Sequence, residues 1–291
     1  MTHRLPLLLS LLCAISAGAC SKDNETPTTP SPTGSPWFYT ALGASDAIGF
    51  GGSVPCAPFD LNCPNGTGFV QGLLRRLRAE RSDTGYENLG VPGAVMSPAV
   101  ETLAGQIGRP VERNMTDGQA PRLQAATTHV TVFAGGNDAN VLGEAVRAGR
   151  GGADVRGFVD QQTRQWAEDL ATFVGRIRQR APAARIVVLN LPNLGAAPYM
   201  AGNSTQERSI MQRIAVGLAD ASNALTSRGV LVVDLMCEPR LYSAANFSSD
   251  GFHPNDQGYA LMAQLAYPAL ASGTAAPPAA TCPQRTLLPV F

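Results

Sequence analysis

The chain has 291 residues, 44% of them hydrophobic, so it can bury the core of one large domain or two small ones. It carries 22 Lys and Arg against 22 Asp and Glu, and its formal net charge is zero. Because nucleic-acid binding needs a concentrated positive field, this balance argues against a DNA- or RNA-binding protein.

The first 19 residues are predicted to be a signal peptide. Arg4 supplies the positive charge, and the apolar run 5–15 is shorter than the roughly 20 residues that a membrane-spanning helix needs. Small residues then lead to Cys20. The Ala17-x-Ala19 pattern fits ordinary cleavage, which would release a secreted protein. The same stretch resembles a bacterial lipobox, in which the cysteine becomes lipidated, although Ala17 stands where Leu is usual.

The cysteine count favours lipidation of Cys20. Five cysteines remain after export, and an odd cysteine in an exported protein needs an explanation. Lipidation leaves four, which can form two disulfides in an oxidising compartment. Proximity favours Cys56–Cys63, and Cys237–Cys282 would then tie the C-terminal tail to the domain, although four cysteines allow three pairings. Neither pair has the spacing of a zinc site, so no metal is expected.

Residues 20–36 are rich in Pro, Thr and Ser and are predicted to be a lipid-anchored tether, because this composition cannot form a core. Residues 37–291 are predicted to form the domain. Its strands and helices alternate, which indicates βαβ units and an α/β fold with a parallel sheet of about five strands. The predicted strands are 38–42, 86–89, 128–133, 185–191 and 230–235, and the predicted helices are 69–80, 157–179, 206–226 and 256–270, the last capped by Asn255.

In a parallel α/β sheet the ligand site lies beyond the C-terminal ends of the strands. Ser45 follows the first predicted strand on a glycine turn that would expose its hydroxyl. Asp250 precedes His253 by three residues, so its carboxylate can reach one ring nitrogen and leave the other for a serine. His129 begins the third strand, about 20 Å from the catalytic edge, and is expected to be structural.

Two further motifs offer hydrogen-bond donors for a tetrahedral oxyanion. Asn137 lies in a Gly-Gly-Asn-Asp sequence after the third strand, and Gly93 follows the second strand. Each motif alone would also fit a turn or a helix cap. Their occurrence together, in order and at strand ends, favours a catalytic site.

The combined motifs resemble those of the SGNH hydrolase superfamily, also called GDSL esterases and lipases, from Trp37 to about Ser272. The resemblance implies a flavodoxin-like three-layer α/β/α fold and a serine hydrolase that cleaves carboxylic esters through an acyl-enzyme. No cofactor is implied, because serine, histidine and water complete the cycle. The motifs that carry it are Leu42-Gly43-Ala44-Ser45, Asn88-x-Gly90-x-x-Gly93, Gly135-Gly136-Asn137-Asp138 and Asp250-Gly251-x-His253-Pro254.

The same resemblance implies residue roles. Ser45 would be the nucleophile, His253 the general base and then the acid, and Asp250 the residue that orients His253. The oxyanion hole would combine the backbone N–H groups of Ser45 and Gly93 with the side chain of Asn137. The chain departs from the family pattern at one place, where Ala44 replaces the usual Asp before the nucleophile and Asp46 follows it.

Several alternatives remain open at this level. An acyltransferase would use the same residues with an alcohol in place of water, and a degenerate domain of this type could bind glycans or lipids without catalysis. Short acyl esters, acetylated glycans and lysophospholipids all fit as substrates. The loop-like segments 49–68 and 106–121 are expected to shape the pocket. We expect a monomer on the periplasmic face of a bacterial membrane, the outer one, held there by its lipid anchor alone.

Lipidation of Cys20 can be tested by the intact mass of the mature protein from its native host. We expect the mass of a chain that begins at Cys20 plus its lipid, since lipidation accounts for the odd cysteine. The mass of the unmodified chain beginning at Cys20 would contradict the prediction.

Overall fold

The computed structural model describes residues 36–60 and 63–289, which include the predicted domain except its last two residues and positions 61–62. The predicted signal peptide, Cys20 and the tether up to residue 35 lie outside the described residues. No helix within the described part is both long and apolar enough to cross a membrane.

Five parallel strands form one sheet in the order β2-β1-β3-β4-β5. The sheet is flanked by helices, as the sequence predicted for an α/β fold. The strands are β1 Phe38–Gly43, β2 Gly85–Asn88, β3 His129–Phe133, β4 Arg185–Leu189 and β5 Leu231–Val233. The helices are α1 Phe69–Glu80, α2 Pro98–Gln106, α3 Met115–Gly118, α4 Gly136–Arg147, α5 Val155–Arg180, α6 Thr205–Ala224 and α7 Asp256–Ser272.

β2 lies on one side of β1, and β3 lies on the other side, so the order in which strands are added to the sheet reverses after β2. Crossovers between parallel strands are right-handed, so connections made in opposite directions along the sheet place their helices on opposite faces. α1 packs with α7, and α5 packs with α6 and α4. The crevice between β1 and β3 is the place where such sheets bind ligands. The register pairs Gly43 with Phe133, so the two strands end side by side.

Three helices, α2, α3 and α4, were not predicted from the sequence. α2 begins with Ser97 as N-cap, whose hydroxyl accepts a hydrogen bond from the Val100 N–H, and with Pro98 in its first turn. α4 begins at Gly136 without a side-chain cap, after Gly135 at φ 111°. A Gly-Gly-Asn-Asp sequence is typical of a turn, and here the turn continues into a helix.

Strand β4 is shorter than predicted because the side chain of Asn190 bonds to the segment that follows the neighbouring strand β5. Its side-chain oxygen accepts hydrogen bonds from the N–H groups of Leu235 (2.6 Å) and Met236 (2.9 Å). This contact turns the chain away from the sheet immediately after β5. The segment that follows carries Cys237, which is bonded to Cys282, and a second disulfide joins Cys56 to Cys63.

His129 lies at the N-terminal end of β3, far along the strand from the site edge. Its Nδ1 is 2.7 Å from the Thr128 hydroxyl, and its ring lies 4.8 Å from that of Trp37. Burial, with a smaller contribution from the positive charge of Arg185, lowers the pKa of His129 to about 4. The folded protein therefore keeps this ring neutral where the unfolded chain would protonate it.

The neutral state of His129 predicts a pH-dependent stability. With a folded pKa of about 4 below an ordinary value of 6.5, its contribution is complete above pH 6.5 and is lost as the pH falls through about 4. The loss is at most about 3 kcal/mol. Urea unfolding at pH 7 and pH 4.5 should show a smaller drop in the free energy of unfolding for His129→Gln than for the wild type. An equal drop would contradict the prediction.

Candidate active site

Ser45 lies just beyond the end of β1, at the start of a 3-10 turn that runs from Ser45 to Ile48. Ala44 has φ −111° and ψ −138°, a conformation that is neither helical nor extended, and this abrupt change of direction lifts the serine side chain above the sheet edge. Ser45 is buried, and its Oγ lies 2.8 Å from Nε2 of His253. The structure thus brings together two residues that are 208 positions apart.

Asp250 fixes the orientation of His253. Its Oδ2 accepts a hydrogen bond from Nδ1 of His253 at 2.6 Å. Its Oδ1 accepts from the backbone N–H groups of His253 and Phe252 and from the hydroxyl of Ser248, at 2.7–2.9 Å. Burial alone would raise the pKa of Asp250, but these donors, with His253 first, lower it to about 2. The carboxylate is therefore ionised at neutral pH, Nδ1 carries the proton, and Nε2 is free to accept one from Ser45.

The loop between β5 and α7 holds this pair in place. Asn255 caps α7 with its side-chain oxygen and donates from its amide to the carbonyl groups of Ala245 and Phe247. The N–H of Ser248 bonds to the carbonyl of His253 at 2.8 Å. Because one asparagine bonds both the helix and the loop, the loop closes on itself and holds His253 in place.

Asn137 lies beside Ser45, and Gly93 precedes Ala94, which lines the same cavity. Asn137, in the first turn of α4, donates one amide hydrogen to the carbonyl of Ala94 at 3.0 Å. Gly93 has φ 82°, a left-handed conformation that a glycine adopts without strain. Ala94, Asn137 and Ser45 line one small cavity, so the loop after β2 and the helix after β3 meet at the nucleophile.

Asp138, the residue after Asn137, also joins the loop after β2 to the helix after β3. It is fully buried and accepts hydrogen bonds from the N–H groups of Met96 (2.9 Å) and Ser97 (3.1 Å) and from Nε1 of Trp166 (3.0 Å). Burial raises the pKa of Asp138 to about 6, although all these partners are donors and favour the ionised form. Two adjacent residues thus hold the segment beyond Gly93. Asn137 bonds to Ala94, and Asp138 bonds to Met96 and Ser97.

Two adjoining cavities open beside Ser45. The first, the serine cavity, is lined by Ser45, Asn137 and Ala94 among others. The second, the apolar cavity, has a volume of about 590 Å³ including its open mouth, and the two share Asp46, Phe133, Gly136 and Phe252. The apolar cavity is further lined by Leu191, Pro192, Asn193, Leu194, Ala197, Leu241, Tyr242, Asn246, Phe247, Pro254 and Met262.

The prediction that segments 49–68 and 106–121 shape the pocket was wrong for these two cavities, since no described residue of either segment lines them. The walls of the apolar cavity come mostly from the loops after β4 and β5, whereas those of the serine cavity come mostly from the segments after β1 and β3. Segment 49–68 contributes one nearby contact, in which the ring of Phe50 lies 4.8 Å from that of His253.

Asp46 is the functional candidate whose position the sequence left open. It lines both cavities, and its Oδ1 lies 3.3 Å from the hydroxyl of Tyr259 on α7. Asp46 thus lies between Ser45 and Tyr259 at the wall of both cavities. Its place in the sequence, directly after Ser45, was the one signal that could have drawn attention to it.

A family model of the GDSL-like lipase/acylhydrolase family matches residues 41–261. The chain belongs to this family. It is accordingly an ester hydrolase. The matched region includes every residue of the candidate site, from Ser45 to His253.

Several solved structures have a fold similar to that of this GDSL-like hydrolase. A lipase from a goat rumen metagenome is 16% identical, with a TM-score of 0.53, over 78% of this chain and 94% of the other. A carbohydrate esterase family 2 enzyme with its carbohydrate-binding domain, from Corynascus thermopiles (Myceliophthora fergusii), is 16% identical with a TM-score of 0.50, over 85% and 68%. At this identity the likeness shows the fold alone. A search of the curated proteins by sequence found no match.

The buried position of Asp138 in this GDSL-like hydrolase predicts that Asp138→Asn is harmful. The new amide group would face at least one of three N–H donors, and such a buried unsatisfied donor costs about 1–3 kcal/mol. We expect a lower free energy of unfolding in urea, and a kcat for p-nitrophenyl acetate reduced by about tenfold with a smaller change in KM.

Asp220→Asn is the matched control, since Asp220 pairs with Arg285 at the surface, where such a pair contributes little. If Asp138→Asn were as stable and active as this control, the hydrogen bonds of Asp138 would not hold the segment beyond Gly93.

Proposed function

We propose that this chain hydrolyses carboxylic esters through an acyl-enzyme formed on Ser45. The observation that carries the proposal is the continuous hydrogen-bonded chain from Ser45 Oγ to Nε2 of His253 and from Nδ1 of His253 to Asp250. A serine hydroxyl is a weak nucleophile unless a base takes its proton, and a base is effective when a third group holds its tautomer. Both conditions are met by these distances.

In the first half of the reaction, Oγ of Ser45 attacks the carbonyl carbon while its proton moves to Nε2 of His253. The carbonyl oxygen becomes an oxyanion, and its charge is stabilised by preorganised donors. Asn137 suits this role because its amide donates one hydrogen to Ala94, which fixes the side chain and leaves the second hydrogen available. The backbone N–H groups of Ser45 and Gly93 complete the hole.

The bond between the carbonyl carbon and the alcohol oxygen then breaks, and the alcohol leaves with the proton from His253. In the second half, water attacks the acyl-enzyme and gives one proton to His253. The tetrahedral species collapses, Ser45 regains its proton, and the acid is released. No metal or redox group takes part in this balance. The carboxylate of Asp250 stabilises the imidazolium that forms twice in the cycle, and its low pKa keeps it charged throughout.

The two disulfides support export, because such bonds persist in oxidising compartments. With Cys56, Cys63, Cys237 and Cys282 paired, Cys20 is the cysteine left for lipidation after removal of the signal peptide. The enzyme would then act on the periplasmic face of a bacterial membrane, tethered by residues 20–36.

Substitutions at the site test the mechanism. Ser45→Ala and His253→Ala should each remove nearly all turnover, and the double variant should be little worse, since nucleophile and base act as a unit. Asn137→Ala should lower kcat by about 10²–10³ with less effect on KM, because the lost donor acts where charge develops. A chain-length series of p-nitrophenyl esters and acetylated sugars supplies the substrates.

Asp250→Asn should also reduce kcat strongly, since an amide cannot fix the tautomer that places the proton on Nδ1. Wild-type hydrolysis by Ser45→Ala on every ester would refute the site. Binding of glycan or lipid by the wild type without any hydrolysis would instead point to a binding domain.

A further inference from the structure

Among the described residues, Asp46 is the one acidic residue that lines the apolar cavity, whose walls are otherwise mostly hydrocarbon. No Lys or Arg lines either cavity among the described residues. The ionisable groups that face Asp46 are His253 and Asp250 from the loop after β5 and Tyr259 from α7. A carboxylate in these surroundings has no permanent cationic partner.

Tyr259 does not supply a strong donor to Asp46. Its one hydroxyl proton is directed at the carbonyl of Phe50, 2.6 Å away, whereas Oδ1 of Asp46 is 3.3 Å away. Burial accordingly raises the pKa of Asp46. Ionisation of Asp46 is therefore costly in the empty site, and a bound cation would relieve the cost.

Aromatic side chains contribute to the walls of the same cavity. Phe133 and Phe252 are shared with the serine cavity, while Tyr242 and Phe247 lie on the loops beyond β5. The faces of aromatic rings attract quaternary ammonium groups, and the attraction grows when the group is removed from water. A carboxyl group beside several aromatic rings is a combination that suits an organic cation better than a plain acyl chain.

The position of the cavity identifies the part of the ester that would occupy it. Phe252 and Pro254 line the cavity and flank His253 in the chain, and the ring of Phe252 lies 4.8 Å from that of His253. Since His253 gives its proton to the departing alcohol, the alcohol part of the substrate lies on this side. Asn137, which suits the oxyanion, lines the serine cavity instead.

We propose that the apolar cavity binds an ammonium group on the alcohol part of the ester, with Asp46 as its counter-ion. The proposal rests on the proposed ester hydrolysis at Ser45 and adds the class of alcohol. Asp46 is then a specificity-determining residue and not a substitute for the missing carboxylate before Ser45.

A pair of isosteric esters tests the proposal. Acetylcholine and 3,3-dimethylbutyl acetate have the same shape, and they differ by the positive charge of the trimethylammonium group. At pH 8 the wild type should prefer acetylcholine by about tenfold or more in kcat/KM. In Asp46→Asn the ratio of the two kcat/KM values should fall to about one, whatever the absolute rates. Asp83→Asn, at the opposite edge of the sheet, should keep the wild-type ratio.

The pH dependence of the same ratio gives a second measurement. Effects of pH on the groups that both esters use for turnover largely cancel in the ratio. Ionisation of Asp46 favours the cationic ester alone, so the wild-type ratio should rise with pH as Asp46 ionises, whereas the ratio in Asp46→Asn should stay flat.

A wild-type ratio near one, or a preference that survives Asp46→Asn, would overturn the proposal. This failure is distinct from failure of the ester hydrolysis itself. In the first case 3,3-dimethylbutyl acetate is still hydrolysed in a reaction that Ser45→Ala abolishes, and in the second case neither ester is hydrolysed.

Discussion

The pairing of β1 with β3 is the constraint on which the site depends. The two strands are parallel and in register up to Gly43 and Phe133, so the segments that follow them leave the sheet at the same edge. Ser45 is two residues beyond the end of β1, and Asn137 lies at the start of the helix after β3. The proposed nucleophile and the proposed oxyanion donor therefore meet without a long loop to place them, because backbone hydrogen bonds of the ladder set their separation.

Two carboxyl groups near His253 show how surroundings decide the chemistry of one functional group. Asp250 accepts four hydrogen bonds from Ser248, Phe252 and His253, and its pKa is lowered to about 2. Asp46 lies among hydrocarbon walls with one long contact to Tyr259, and burial raises its pKa. The first is a permanent charge that holds the histidine. The second ionises at a cost, which a cationic ligand would offset.

The oxyanion side of the site is stabilised by hydrogen bonds to buried groups and not by covalent links. Asn137 and Asp138 are consecutive, yet one bonds to Ala94 in the cavity and the other to Met96 and Ser97 beneath it. Trp166 on α5 adds a donor to Asp138. The segment beyond Gly93 is thus held at several points, which limits the motion of a donor that must meet a transient charge.

The sequence by itself determined the features that depend on neighbours along the chain. Alternating strands and helices gave the parallel sheet, and the three-residue spacing of Asp250 and His253 allowed their contact within one turn. Positions at strand ends placed Ser45 and Asn137 at one edge. Strand β4 was predicted to reach residue 191 and ends at Leu189, because Asn190 bonds to residues beyond β5 that no local pattern reveals.

Only the tertiary structure decided what surrounds these residues. The walls of the apolar cavity come from Phe133, from the loop after β4 and from the loop that carries His253. Asp46 lies beside Tyr259, 213 residues away, and Asp138 meets Trp166 across the space between two helices. Local spacing fixes contacts within a turn, whereas a cavity forms where distant segments fail to fill the space between them, and that is settled by packing of the whole domain.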